Sequence, residues 1–402
     1  MKQPLNGYRV CDLTAMISGP LATMQLADQG ADVIKIERPG VGDYTRLASN
    51  RRAGMSASFL NNNRNKRSVA LDIKHPEGLE ALKRIAATSD VFVQNFRPGV
   101  AERIGIGEQA IRGVAPDIIY VSISGFGENG PYATKPVYDP LVQALSGLAS
   151  IQGGADTARP RLVRTIVPDK LTGYVAAQAI TAALLARTNG GAGQHIRVSM
   201  LDAVIDFLWH SDMNSQTFVG DAMAQSEAAS FIDLIYETTT DYISVAVQTD
   251  DQWHALTEAL ETPHWRDDPR FATPADRQDH IDARLELTQS RLREASAEYW
   301  LERLEEYGVP CAPVLTRSDL IDHPQIRAND ILLETEHDIA GRLRQARPAA
   351  RFSGVEETPV RGAPPLAADT RTVLADVGYD DATIDALIET GAAASADAGG
   401  EE

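Results

Sequence analysis

Tyr8-Arg9-Val10-Cys11-Asp12-Leu13, then Gly19-Pro20 with a helical stretch from Leu21 to Gly30, then Asp32-Val33-Ile34-Lys35-Ile36-Glu37: this strand–helix–strand succession decides the fold. Both apolar runs are short, and the second alternates faces at its end, as strands do. The pattern continues downstream. Ser68-Val69-Ala70-Leu71-Asp72 reads as a third strand, and His75 to Thr88 as an amphipathic helix. Asp90-Val91-Phe92-Val93-Gln94-Asn95 and Ile118-Ile119-Tyr120-Val121-Ser122-Ile123 extend the series. Strands separated by helices of this length predict an α/β fold, with a parallel sheet and right-handed crossovers. Residues 170–187 and 200–218 are predicted to be long helices rich in Ala and Leu.

The texture changes near residue 220. Tyr242-Ile243-Ser244-Val245-Ala246-Val247 reads as a strand, followed by a helix from Asp251 to Leu260 and a charge-dense helical stretch from Pro274 to Tyr307. Residues 225–315 are therefore assigned to a smaller α+β domain, inserted in a large domain made of 1–220 and 316–392. Prolines 348, 359, 364 and 365 lead to a short helix, Asp369 to Val377, and the small, acidic stretch 393–402 is predicted to be a disordered tail. A chain of 402 residues suits two domains.

Composition excludes more than it identifies. With 38 basic against 56 acidic side chains the formal charge is −18. Such a field repels nucleic acid and anionic membrane, so neither is an expected partner. No apolar run approaches the ~18 residues of a membrane span, and the N-terminus carries no signal-peptide pattern. Cys11 and Cys311 sit far apart in apolar surroundings, which suggests buried thiols in a reducing cytoplasm and no metal site.

Gly105-Ile106-Gly107-Glu108-Gln109-Ala110 formally matches a dinucleotide fingerprint, but a helix-like segment precedes it where a strand is required. No phosphate-binding loop of the G-x-x-x-x-G-K type, no H-E-x-x-H and no G-x-S-x-G occurs. What remains is a set of short polar segments at strand ends, where α/β folds place ligands.

Those segments carry a resemblance. Val33-Ile34-Lys35-Ile36-Glu37-Arg38-Pro39-Gly40 with Gly42-Asp43, Asn65-Lys66-Arg67-Ser68-Val69-Ala70-Leu71-Asp72, Asn95-Phe96-Arg97-Pro98-Gly99 and Ser122-Ile123-Ser124-Gly125-Phe126-Gly127 resemble the class III (CaiB/BaiF-type) CoA-transferases. Tyr138-Asp139, Gln143 to Gly147, Asp169 and Gly193 to Ala203 continue the match, and Gly308 to Val314 extends it more loosely. The family includes formyl-CoA and carnitine CoA-transferases and a branch of α-methylacyl-CoA racemases. The resemblance implies a Rossmann-like large domain built from both chain ends, an inserted small domain, and an interlocked homodimer. It also implies CoA and acyl-CoA as substrates, with no permanently bound cofactor.

By the same resemblance Asp169 is the nucleophile. A carboxylate with an ordinary pKa of about 3.9 is ionised at neutral pH and needs no base beside it. Its attack on an acyl-CoA would give a mixed anhydride and CoA thiolate. The thiolate would return to form an aspartyl-CoA thioester, and an incoming carboxylate would reverse the sequence. Neither ATP nor a metal is needed. Position alone favours another role, because Asp169 follows a proline and opens a helix, as an N-cap does. A capped carboxylate is also a poorer nucleophile.

Arg38, Lys74, Arg97 and Arg103 are the candidates for CoA phosphates, with Asn95 and Phe96 for adenine or pantetheine. The bland alternatives are solvated charges and, for Phe96, a core position. Tyr138 would line the acyl site. It stands where the racemase branch has a His, and none of the eight histidines lies between His75 and His195. A phenol is a poor α-proton base, so transfer is favoured over racemisation. An isomerase using intramolecular CoA transfer and a silent CoA-binding protein remain the rivals. Two departures from the family are Ile17, where a Gln is common, and Asp221 to Ala229, which replaces a glycine-rich loop.

Overall fold

A computed structural model describes residues 2–154, 158–220, 234–355 and 359–396. Two compact units divide the chain: Met1–Ala149 with Leu162–Met213 and Ile331–Glu402, and Ser150–Arg161 with Asn214–Asp330. Sequence placed the inserted domain at 225–315, so the second unit is longer and takes in a separate segment upstream.

The large unit begins β1 (Arg9–Asp12), α1 (Ser18–Asp28), β2 (Asp32–Glu37), β3 (Lys66–Leu71), α2 (Pro76–Ala87), β4 (Val91–Gln94) and β5 (Ile119–Ser124). It continues through α3 (Asp139–Leu145), α4 (Val167–Thr188), β6 (His195–Ser199) and α5 (Met200–Trp209). α5 stops well before the predicted residue 218. Local signals set several boundaries. Pro76 occupies the first turn of α2 behind His75, whose ring nitrogen accepts the Glu77 N–H. Ser199 caps α5 in the same way, accepting the Asp202 N–H.

The smaller unit pairs β7 (Ile235–Glu237), β8 (Tyr242–Val245) and β9 (Cys311–Pro313) in an antiparallel sheet with β8 central. Its helices include α6 (Asp250–Ala259), α7 (Ile281–Leu292) and α8 (Ala297–Glu306). The stretch 274–307, read as helical, is divided among Pro274–Asp279, α7 and α8; Thr273 opens the first with a capping box. Trp253, Trp265, Phe271 and Trp300 fill this unit's core.

Back in the large unit, β10 (Leu332–His337) and β11 (Gly341–Ala346) form a hairpin that sequence did not show. α9 (Thr370–Asp376) matches the predicted C-terminal helix, and α10 (Asp381–Glu389) follows it unforeseen. The predicted tail needs a correction: Ala393–Ala394 form β12, an antiparallel edge strand on β3. Residues 397–402 lie outside the described residues.

The sheet order is β12-β3-β2-β1-β4-β5-β6, parallel except for β12. Successive side chains go to opposite cores. Val10, Val33, Val91, Val93, Ile119 and Val121 pack with Leu26 of α1 and Ala176 and Ile180 of α4. Cys11, Ile34, Phe92 and Tyr120 pack on the other face with Leu82 and Ile85 of α2, Leu374 of α9 and Leu387 of α10. Coverage of both faces explains the continuous apolar strands. The chain leaves β1 toward β2 and β3, then returns to β4 on the other side of β1. The carboxyl ends of β1 and β4 therefore flank the switch point, where such sheets bind ligands.

Candidate active site

The loop from β1 to α1 sits at that switch point and is held by Asn95 and Asp43. Asn95, just past β4, accepts the Ala15 N–H at 3.0 Å and donates through Nδ2 to the Ala15 carbonyl at 2.8 Å. Asp43 accepts the Met16 N–H at 3.2 Å. Met16 has φ 71°, a left-handed backbone rare for a non-glycine residue, so its surroundings impose it. Ile17 is the N-cap residue of α1 and supplies no side-chain cap.

Beneath the loop lies a fully buried set of charges. Lys66 Nζ reaches Asp12 Oδ2 at 3.1 Å, the Pro20 carbonyl at 2.9 Å and Asn63 Oδ1 at 2.9 Å. Lys35 Nζ donates to the Thr14 carbonyl at 2.8 Å and lies 3.0 Å from Asp43 Oδ2. Arg46 pairs with both Glu37 oxygens at 2.7 Å. Thr14 and Thr23 donate their hydroxyls to Asp12 at 2.5 and 2.6 Å. Three cations thus balance three anions. Burial pulls Lys66 down to about 8 despite Asp12. Burial acts the same way on Lys35, but Asp43 and Asp12 outweigh it and its pKa rises. Lys35 and Glu37, on the alternating end of β2, are buried members of this network.

Asp169 lies in the first turn of α4, but it does not cap that helix. The N-cap residue is Ile166, and no side chain caps it. The Asp169 carboxylate is half-buried and faces the Ser18 backbone N–H, which opens α1. Gly173, one turn on, allows this approach: a Cβ there would lie 2.9 Å from the Ser18 carbonyl oxygen and 3.0 Å from Leu21 Cδ2. Asp139, nearly fully buried at the start of α3, accepts the Asp169 N–H at 3.2 Å. Its other oxygen takes the Gln143 side-chain N–H at 2.7 Å, and Gln143 clamps the Val163 backbone through both its amide atoms. Burial first, and the Asp139 charge second, push Asp169 up to about 6; the Ser18 N–H acts the other way. Asp139 is the functional neighbour that sequence analysis missed. Its place in the Tyr138-Asp139 pair was quoted, but nothing local marks it as facing Asp169.

The other candidates gather along the carboxyl edge. Arg38 directly follows β2, Lys74 follows β3, Asn95, Phe96 and Arg97 follow β4, and Arg103 ends the short helix Val100–Arg103. Arg38, Lys74, Arg97 and Arg103 are exposed, and among the described residues their side chains have no ion pair or hydrogen bond. Strands β3 to β4 span three spacings, roughly 14 Å of edge, which suits an extended polyanion better than a small ion. Phe96 is half-buried against the core below, so its packing role is real. Tyr138 is 69% exposed beside Asp139. Asp221 to Ala229 lies outside the described residues. No His/Cys/Asp/Glu cluster suited to a metal ion occurs among the described residues, and no helix among them is long and apolar enough to cross a membrane.

A doubly covered, mainly parallel sheet with a held loop and exposed cations near its switch point defines an α/β protein with basic side chains where such folds place ligands. The profile of CoA-transferase family III matches residues 5–370. The chain is 34% identical over 397 residues to succinyl-CoA:glutarate CoA-transferase of Homo sapiens, covering 97% of this chain and 90% of that one. It is 32% identical to formyl-CoA:oxalate CoA-transferase of Rhodopseudomonas palustris, covering 98% of each. A solved CAIB/BAIF family protein from Brucella suis superposes with TM-score 0.80 and 29% identity, covering 94% of this chain and all of that one. The chain belongs to CoA-transferase family III, and it is a CoA-transferase.

Proposed function

We propose that the chain moves CoA from an acyl-CoA to a carboxylic acid through covalent intermediates on Asp169. The observation that carries this is a carboxylate raised to about 6 beside a helix-opening N–H. At neutral pH it is still ionised, yet it is more basic and so more nucleophilic than an ordinary aspartate. Attack forms the Asp169 oxygen–acyl carbon bond and expels CoA thiolate. The thiolate then attacks the aspartyl carbonyl, and the acyl group leaves as its carboxylate. The acceptor carboxylate attacks the aspartyl-CoA carbonyl and expels CoA thiolate, giving a second anhydride; the thiolate then attacks the acceptor's carbonyl carbon, and Asp169 leaves as its free carboxylate. The Ser18 N–H is placed to donate to the oxygen that gains charge in these steps.

Arg38, Lys74, Arg97 and Arg103 would hold the CoA phosphates and Asn95 and Phe96 its organic parts, with Tyr138 at the acyl site. The relatives' acceptors are the dicarboxylates glutarate and oxalate, which supports a short dicarboxylic acid as acceptor here. The test is incubation with acyl-CoA and hydroxylamine, then peptide mass spectrometry, across a panel of mono- and dicarboxylic acceptors. Modification at Asp169 supports the proposal; α-proton exchange with Asp169 unmodified favours a racemase, and CoA binding with neither a silent binder.

A homodimer fits the exposed apolar side chains Tyr174 and Leu185 on α4 and Phe207 and Trp209 on α5. Light scattering at one-chain mass would count against it. The unpaired thiols Cys11 and Cys311 support a cytoplasmic setting.

Asp139→Asn should move the acid limb of the kcat/KM profile, which is expected near pH 6, to lower pH. Burial is the larger cause of the raised pKa, so the midpoint should stay above the ordinary value of about 4. An unmoved midpoint would show that Asp139 does not act on the nucleophile.

A further inference from the structure

Four hydrogen bonds run in series behind the β4 loop. The Phe96 N–H donates to Gln94 Oε1 at 2.8 Å, and Gln94 Nε2 donates to Ser122 Oγ at 3.1 Å. Ser122 Oγ lies 2.8 Å from His195 Nε2, and His195 Nδ1 lies 3.1 Å from Glu108 Oε2. The two ends fix part of the series. A backbone N–H can only donate, so Gln94 turns its oxygen to Phe96 and its NH₂ to Ser122. At the other end a carboxylate can only accept, so His195 Nδ1 donates to Glu108. Ser122 Oγ accepts from Gln94 and shares a hydrogen bond with His195 Nε2.

Glu108, His195 and Ser122 have the spacing of a hydrolase triad, but Ser122 is buried and its oxygen is already engaged by Gln94. The chain ends on a backbone amide instead. Phe96 lies between Asn95, which grips the Ala15 loop, and Arg97, an exposed cation. Tyr120 packs edge-on against the His195 ring with centroids 5.0 Å apart, and Phe92 stacks on Tyr120. The relay thus crosses β4, β5 and β6, and its outer member Glu108 is also 3.4 Å from Arg112.

We infer that Glu108, His195, Ser122 and Gln94 are positioning residues that hold the Asn95–Arg97 loop in the geometry that receives the nucleotide end of CoA. This rests on the proposed placement of CoA along the strand ends. None of the four need touch the thioester, so their loss should weaken capture of the nucleotide and leave the chemistry at Asp169 alone.

The test compares an acyl-CoA with the matching acyl-pantetheine thioester, which lacks the nucleotide. For His195→Leu and Ser122→Ala, KM for acyl-CoA should rise on the order of tenfold with kcat unchanged. Their kcat/KM for acyl-pantetheine should stay within about twofold of the wild type. His195→Gln can still hydrogen-bond Ser122 and should restore most of the KM. An equal loss on both thioesters, or no change on either, overturns the relay. Arg97→Ala runs in parallel as a control on the CoA placement. If Arg97→Ala discriminates the two thioesters and the relay variants do not, the relay alone fails. If Arg97→Ala does not discriminate them either, the placement of CoA fails and the relay proposal with it.

Discussion

Asp169→Ala is expected to lower CoA transfer by about a thousandfold or more while CoA binding persists, because in the proposed mechanism it removes the group that forms both covalent intermediates. Asp169→Asn keeps the shape and should be as inactive, which separates the role of charge from packing. The Asn variant carries a second expectation, on stability. The folded-state pKa of Asp169 is about 6, above that of an unfolded aspartate. Stability linked to this group is therefore full below about pH 4 and is lost as pH rises through about 6. At pH 8 the ionised side chain carries its whole cost, and Asp169→Asn should raise unfolding stability by about 1–3 kcal/mol. At pH 4 the gain should vanish. Urea denaturation of variant and wild type at the two pH values measures it, and a gain over the wild type of the same size at both would refute the raised pKa.

Lys66→Met should be the most destabilising single change, costing about 3–5 kcal/mol, since it strands the buried Asp12 carboxylate. The Pro20 carbonyl and Asn63 Oδ1 lose their donor in the same step. Pro20 lies in the first turn of α1, two residues past Ser18, so activity should fall beyond what the loss of folded protein explains. The double variant Asp12→Asn/Lys66→Met removes both charges and should recover part of the stability. Denaturation midpoints and activity per folded molecule distinguish these effects. A single variant as stable as the wild type would show that Asp12 is satisfied by Thr14, Thr23 and Lys35 without it.

Strands β1 to β5 were legible because two-sided burial writes them as continuous apolar runs, and the helices between them fixed the parallel sense. α10, the β10–β11 hairpin and β12 were not. Leu332–His337 and Gly341–Ala346 are mixed in polarity, with several side chains exposed or half-exposed, so their pairing leaves a weak apolar signal. Ala393 and Ala394 gain their place from pairing with β3 and from burial of Ala393 in the core, which such small side chains do not announce. In the site, the Asn95, Arg38 and Arg97 positions followed from their places at strand ends. The relay through Ser122 and His195 did not, since it joins residues from separate strands that only the sheet register brings together.

By itself the sequence determined the α/β class and a parallel sheet, and it picked out the polar strand ends beside which such folds place ligands, because those follow from local periodicity. Position left Asp169 between a helix cap and a nucleophile, and the resemblance chose the nucleophile. Only the tertiary structure decided which residue takes the cap and what surrounds the carboxylate: Ile166 is the N-cap residue, and packing of α1 on α4 at Gly173 brings the Ser18 N–H to Asp169. Asp139 then comes in from α3 to raise its pKa. A pKa is set by burial and neighbouring charge, and both are properties of three elements meeting, which no stretch of one element contains.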